Sequence, residues 1–407
     1  MRQDLRAKAG PRCTPNGADD RRTDRASPTV VSLAAVTWDF GLVGRTRMLT
    51  EAWLRLGHPT LFVQVPSYRT ALQRMGGLFA SRDGAPVIRP WPTYPSRWWL
   101  RVGAARLTEA TRRRAAALRG QLDRHLEWDK TAALVVSPVW APWLEELPFR
   151  HVIYDCIDEL EVHVRRPELA DLYHTWEEQL VRRASGAVVT AERLGEALRA
   201  RRPDLPVRLI RNGVDVDRFQ HLSTSCPRPR DVPATERPVV GFVGALYEWI
   251  DWDMIRETAR RLPDFDFVFV GPQRARGNGN GLAALPNVRF LGARPYDRVP
   301  AYLKTFDVCW IPFRQNDVGA AANPVKMYEY LALGKPVVTT PVADTDSFGR
   351  LIDVVRSPTE MAGCLRTALE TRSTDVDARI AYARQNEWNV RAREYVDFLT
   401  SLGAAEG

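Results

Sequence analysis

The chain has 407 residues, is 45% hydrophobic and 26% charged, and carries a formal net charge of +9. That length supports two cores of ordinary size, the composition is that of a soluble globular protein, and no apolar run is long enough to span a bilayer. Five cysteines, Cys13, Cys156, Cys226, Cys309 and Cys364, are scattered without metal-ligand spacing, which argues against a disulfide framework or a zinc site and fits a reducing cytoplasm.

The positive balance suits an anionic partner: a nucleotide diphosphate, an acidic lipid surface or nucleic acid. No zinc-finger spacing or RNA-binding aromatic pattern points to nucleic acid. Residues 1–27 are polar, broken by Pro and Gly, and lack the apolar stretch of a signal peptide; they read as a disordered leader. Residues 30–36 are an apolar run typical of a buried parallel strand. A loop through Gly41 and Gly44 follows, then a helical pattern that stops at Gly57, then a strand over 61–65. This strand, glycine loop, helix and strand order is a doubly wound start. Gly41 and Gly44 fit two readings: close approach of the backbone to a substrate, or a tight turn and no more.

Residues 95–122 place Arg97, Arg101, Arg112 and Arg119 on one arc of a helical wheel, with Leu100, Leu107 and Leu118 on the adjoining arc. Trp98 and Trp99 stand at the start. A basic amphipathic helix with interfacial aromatics suits a peripheral contact with an anionic membrane. A helix that packs its leucines on a sheet and leaves its arginines in solvent fits the same pattern.

The strand over 151–154 runs into Asp155 and Asp158, carboxylates at a strand's C-terminal end, where open α/β sheets place ligands. Both are candidates for contact with reacting groups. Helix capping by Asp158, with Asp155 binding nearby amides, is the competing reading. Further on, Asn212-Gly213 predicts a turn with positive φ. Residues 221–238 hold several prolines and serines with no apolar period, and read as a linker between units at 28–220 and 239–380. The second unit restarts the pattern with a strand over 239–244, where Gly244 allows the backbone close to a diphosphate. Trp249 and Trp252 read as packing residues. The loop over 314–322 is expected to be mobile until a ligand binds, and residues 381–407 to form a helix packing back on the first unit.

The most informative stretch is 323–341, NPVKMYEYLALGKPVVTTP. Asn323 is a predicted N-cap, Pro324 the first helical residue, Gly334 a left-handed C′ residue, and 337–340 a strand. Lys326 opposes the positive end of the helix dipole. Its placement makes sense if an anion occupies that helix end, where amides and an ammonium together hold a phosphate. Glu329, one turn on, can accept from sugar hydroxyls. The plainer alternative is a Lys326–Glu329 surface pair, in the weaker of its two orientations.

This stretch resembles the nucleotide-sugar motif of GT-B glycosyltransferases of the family usually numbered 4, in the polysaccharide-type subgroup with Pro-x-Lys-x-Tyr-Glu-Tyr-Leu-Ala. Asn212-Gly213-Val214-Asp215 with Phe219, the Tyr-Asp-x-x-Asp stretch at 154–158, and Trp249-x-Asp251 add to the resemblance. It implies two doubly wound Rossmann-like domains facing a central cleft, with the acceptor side at 28–220 and the donor side at 239–380. It further implies a loop at Gly41 and Gly44 facing the acceptor, Asp155 or Asp158 near the reacting sugar, Arg294 near the nucleobase, and Glu329 on the donor ribose. The first glutamate of the family's pair would fall at Ala321 and is absent.

The resemblance thus implies a retaining, metal-independent hexosyltransferase. It would take a nucleotide diphosphate-sugar donor, no cofactor, and a glycan or lipid-linked acceptor in surface polysaccharide assembly; the expected location is cytoplasmic, peripheral at the inner face of the cell membrane if the basic helix over 95–122 contacts lipid. Asp344-x-Asp346 is discounted as a metal motif because it falls in a loop. A GT-B-fold sugar-nucleotide epimerase and a degenerate transferase acting as a binding protein are the rival readings.

Overall fold

The structure, a computed structural model, describes residues 28–38, 44–65, 78–80, 84–88, 90, 104–160, 164, 167–232, 235–273 and 281–404. Residues 1–27, Gly41, Arg97, Trp98, Trp99 and Arg101 lie outside that set, so the expectations for them stay with the sequence.

Strands β1 (Thr29–Leu33), β2 (Thr60–Val63), β3 (Leu78–Ala80), β4 (Pro86–Ile88), β5 (Thr131–Val135), β6 (His151–Cys156), β7 (Gly186–Val189) and β8 (Val207–Leu209) form one sheet in the order β3-β4-β2-β1-β5-β6-β7-β8. Only the β3–β4 pair is antiparallel. A second sheet, parallel throughout, holds β9 (Val239–Val243), β10 (Asp266–Val270), β11 (Val288–Gly292), β12 (Val308–Ile311), β13 (Val337–Thr339) and β14 (Ile352–Val354) in the order β11-β10-β9-β12-β13-β14. The central strands are apolar on both faces because helices cover both faces, and β5, β6, β9 and β10 are buried along their whole length. In each sheet the strand order reverses beside the first strand, between β1 and β5 and between β9 and β12. The crevice at such a reversal is where doubly wound sheets bind ligands.

The last helix, Trp388–Ala404, lies on the first unit. Its Trp388, Ala392, Tyr395, Phe398 and Leu399 are buried among Val30, Met48, Trp53, Leu134 and Ile153. The Trp53 indole N–H donates to the Ala392 carbonyl at 3.0 Å. The helix Val216–Ser225 runs on into the stretch read as linker, capped by the Asp215 carboxylate, which accepts from the Arg218 N–H.

One sequence expectation is corrected, and one pair of readings is narrowed. Gly213 does not adopt positive φ. It is glycine for space: a Cβ there would sit 2.6 Å from the Asn386 carbonyl, because Val214 pairs with the chain at Asn386 and Trp388. In the helix Ala104–Leu122, Leu107 and Leu118 are buried in the first unit's core. The apolar face is therefore already covered by protein, and Arg112 is exposed but paired with Glu145 at 2.6 Å. The described part of this helix packs as the second reading had it. Among the described residues, no helix is long and apolar enough to cross a membrane.

Candidate functional site

A cavity of about 900 Å³ lies between the two sheets at their C-terminal ends. The first unit supplies Gly44, Arg45, Ile157, Asp158 and Asn212. The second supplies the glycine turns Gly244 and Gly271, the segment 293–296, Phe313, and the start of the helix Val325–Ala332. That helix ends as its sequence predicts. Gly334 has φ +66°, and the Gly334 and Lys335 N–H groups close on the Leu331 and Tyr330 carbonyls in a Schellman arrangement.

Its start is different. The helix begins at Val325, with Pro324 extended in the cap position and no side-chain cap. Asn323 is not the N-cap because its side chain is committed elsewhere: the carbonyl Oδ1 accepts from the Asn212 N–H at 3.0 Å and from the Tyr328 hydroxyl at 3.2 Å. The Asn212 amide donates in return to the Asn323 carbonyl at 2.5 Å. Asn323 is thus a clasp between the units.

Lys326 points into the cavity. Among the described residues no carboxylate lies within ion-pair distance of it. Its ammonium stands over the rings of Phe313 and Phe242, at 4.9 and 5.4 Å from their centroids. Burial pushes its pKa down to about 8, against the opposing pull of Glu329 and Asp158. Gly244, with φ +145°, makes the room: a Cβ there would fall 2.8 Å from Lys326 Cε. Glu329 is buried on the same helix and accepts from the Tyr296 hydroxyl at 2.7 Å. Burial holds its carboxyl above the usual range, while that hydrogen bond and Lys326 pull the other way. The surface-pair alternative for Lys326 and Glu329 does not describe these positions, since both line the cavity.

The structure separates the two candidate carboxylates. Asp158 lines the cavity, and burial pushes it up to about 7, opposed by Lys326 across the cleft. Asp155 does not line it. It is fully buried, paired with Arg45 at 3.1 Å and accepting from the Tyr395 hydroxyl at 2.5 Å. A carboxylate with no exposed surface, off the cavity wall, cannot reach a substrate there, so Asp155 does not make the expected contact with the reacting sugar.

Arg294 lines the cavity, but its guanidinium is drawn to Asp231 at 2.5 Å and donates to the Tyr302 hydroxyl at 2.8 Å. Ala321, where the first family glutamate would fall, is fully buried and packs with the first unit's core. Its neighbours Gly319 and Ala322 reach the cavity instead. The loop expected to be mobile carries a short helix, Asp317–Ala321, capped by Asn316. Asp344 is engaged by Arg211 at 3.0 Å.

Sequence reasoning missed Arg45, whose partners lie 110 to 350 residues away in the chain. Its one local mark is an arginine directly after a glycine at the start of a helix. The sequence reads Asn212 as a turn residue, and nothing local marks it as a clasp.

Residues 237–371 match the family model described as Glycosyl transferases group 1. The chain is 28% identical over 200 residues to TuaH of Bacillus subtilis, named as a teichuronic acid biosynthesis glycosyltransferase; the match covers 47% of this chain and 50% of TuaH. It is 27% identical over 291 residues to the 2-deoxystreptamine glucosyltransferase of Streptomyces kanamyceticus, covering 66% of this chain and 71% of that one. This chain thus spans only half of TuaH's length. The crystal structure of Anabaena HepE in complex with UDP and glucose superposes with a TM-score of 0.64 at 16% identity, over 92% of this chain and all of that one. The fold is that of the GT-B glycosyltransferases, and residues 237–371 are similar to the group 1 family model.

Proposed function

We propose that the protein is a glycosyltransferase that moves a sugar from a nucleotide diphosphate-sugar to a glycan or lipid-linked acceptor hydroxyl. The observation that carries this reading is Lys326, a cation with no carboxylate at ion-pair distance among the described residues, held at a helix start in a cleft between two doubly wound units. The first amides of a helix have no intrahelical partner, and with an ammonium beside them they suit a pyrophosphate. The complex of the structurally similar HepE with UDP and glucose points the same way.

In this reading the diphosphate docks at Pro324, Val325 and Lys326, with Gly244 leaving room for it and Glu329 accepting from the ribose. The bond from the anomeric carbon to the diphosphate oxygen breaks, and its electron pair stays on that oxygen. Lys326 and the helix start stabilise the charge that develops there without needing a metal. The new bond forms from the acceptor oxygen to the anomeric carbon on the face the diphosphate leaves, with retention. The acceptor proton passes to the departing phosphate oxygen. Asp158, on the opposite wall, accepts from a neighbouring hydroxyl of the acceptor and orients it. A role in surface polysaccharide assembly, in the family 4 subgroup, belongs to this proposal. So does work at the inner membrane face, where the exposed Arg112 and Arg119 would meet anionic lipid.

The test is a thermal-shift screen with UDP-, GDP-, ADP- and dTDP-sugars. One of them should raise the melting temperature of the wild type and raise that of Lys326→Ala by no more than about half as much. No shift with any of the four would refute the reading.

A further inference from the structure

Asp155, Arg45 and Tyr395 form a buried group that the transfer chemistry above does not use. Arg45 spends all five of its N–H donors inside the protein. Nε meets Asp155, Nη1 meets the Arg211 carbonyl at 2.9 Å and Asn212 Oδ1 at 3.1 Å, and Nη2 meets the Ile210 carbonyl at 2.7 Å and the Tyr395 hydroxyl at 2.8 Å. The segment it grips, 210–212, leads from the first sheet toward the second unit, and Asn212 is the residue that pairs twice with Asn323. A hydrogen-bonded path therefore runs from β6 through Arg45 and Asn212 to Asn323.

Both ends of that path lie beside groups that face each other across the cleft. Asp155 is three residues before Asp158 in the chain, and Asn323 three before Lys326. A buried strand end anchors one end of the path, and the residue just ahead of the donor-side helix anchors the other.

We propose that Arg45 and Asn212 are positioning residues: the path Asp155–Arg45–Asn212–Asn323 sets the separation of the cleft's two walls, so that the acceptor side meets the donor side in register for transfer. This rests on the transferase reading. It also gives Asp155 a role in place of the one withdrawn above. Placement errors of about 1 Å can cost about a hundredfold in rate even when binding is intact. Gly244, Lys326 and Glu329 all belong to the second unit, so nucleotide affinity does not depend on the path, whereas turnover does. A brace that served only stability would lower the melting temperature and leave turnover per folded molecule unchanged.

The experiment uses the full chain with Asn212→Ala and, separately, Tyr395→Phe, which removes two hydrogen bonds behind the cleft without altering its lining. Three quantities are measured: the melting temperature, the dissociation constant of the nucleoside diphosphate (UDP, or the one selected by the screen above), and release of that nucleotide from the matching nucleotide-glucose with water as acceptor. The expected result is a dissociation constant and a KM within twofold of wild type. With them, kcat should fall at least tenfold in Asn212→Ala and at least threefold in Tyr395→Phe. Unchanged kcat per folded molecule in both variants would overturn the proposal, as would nucleotide affinity falling in step with kcat. If Asn212→Ala does not fold, Tyr395→Phe alone decides. Failure of the wild type to bind any nucleotide is a separate result, and it removes the transferase reading itself.

Discussion

Replacing Lys326 by Met should move stability and function in opposite directions. Burial lowers the lysine pKa from 10.5 to about 8. The difference, 10.5 − 8, costs the empty protein roughly 3 kcal/mol at neutral pH. The sign follows from linkage. Between pH 8 and 10.5 the unfolded chain binds more protons than the folded one, so stability rises with pH across that window, and the penalty is fully present below pH 8. Methionine removes the charge but gives up two cation–π contacts worth about 0.5–1 kcal/mol each. A net gain of about 1–2 kcal/mol at pH 7 is expected, read as a rise in melting temperature of about 2–4 °C per kcal/mol that shrinks toward pH 10. Nucleotide binding should weaken, because a hydrogen bond to a charged group is worth about 1.5–3 kcal/mol, or about 10- to 150-fold in affinity. At a nucleotide concentration of about 100 times the wild-type dissociation constant, ligand stabilisation should drop from about 2.7 kcal/mol to about half of that or less. Differential scanning fluorimetry with and without nucleotide at pH 7 and pH 10 measures all of this. A Lys326→Met protein that melts lower than wild type when empty, yet keeps its full nucleotide shift, would refute the reasoning.

Gly244→Ala meets both a positive φ and a Cβ 2.8 Å from Lys326 Cε; it should cost about 1–2 kcal/mol and abolish the nucleotide shift while the protein remains folded. Asp158→Asn should remove an acid limb centred near pH 7 from the pH profile of kcat/KM. Because that carboxyl is raised in the folded state, its favourable contribution is complete below pH 4 and lost as pH rises through about 7, so the variant should melt higher than wild type at pH 8. Ala321→Glu restores the family's glutamate in name only: at a fully buried position it should cost about 3 kcal/mol or more in chemical denaturation without raising turnover. Arg193→Ala removes a salt bridge from the first unit to Asp317, exposed on both sides, and should change stability by less than about 1 kcal/mol in the same assay.

The architecture could be read because parallel strands buried on both faces leave continuous apolar runs, and helix ends leave glycine, proline and capping marks. β9, the Gly334 stop and the strand after it all stand in the structure where those marks put them. Lys326 could be read for a related reason: a cation at the positive end of a helix dipole is a local anomaly that needs no knowledge of distant contacts. Where local marks were ambiguous, the reading failed in a consistent way. Asn323 has the composition of a cap and serves as a clasp, since its partner lies 111 residues away. Gly213 has the composition of a turn and serves as a gap for the 386–388 backbone.

By itself, then, the sequence determined the two doubly wound units, the order of their elements, and the helix that presents Lys326 and Glu329. These follow from periodicity and end chemistry within about twenty residues. The tertiary structure alone decided that Asp158 faces the cleft while Asp155 is sealed behind Arg45, that Ala321 points into a core, and that Asn212 joins the halves. Each of those depends on which buried polar group finds which partner. A buried charge or amide must be satisfied wherever the fold supplies a match, and the match here comes from more than a hundred residues away.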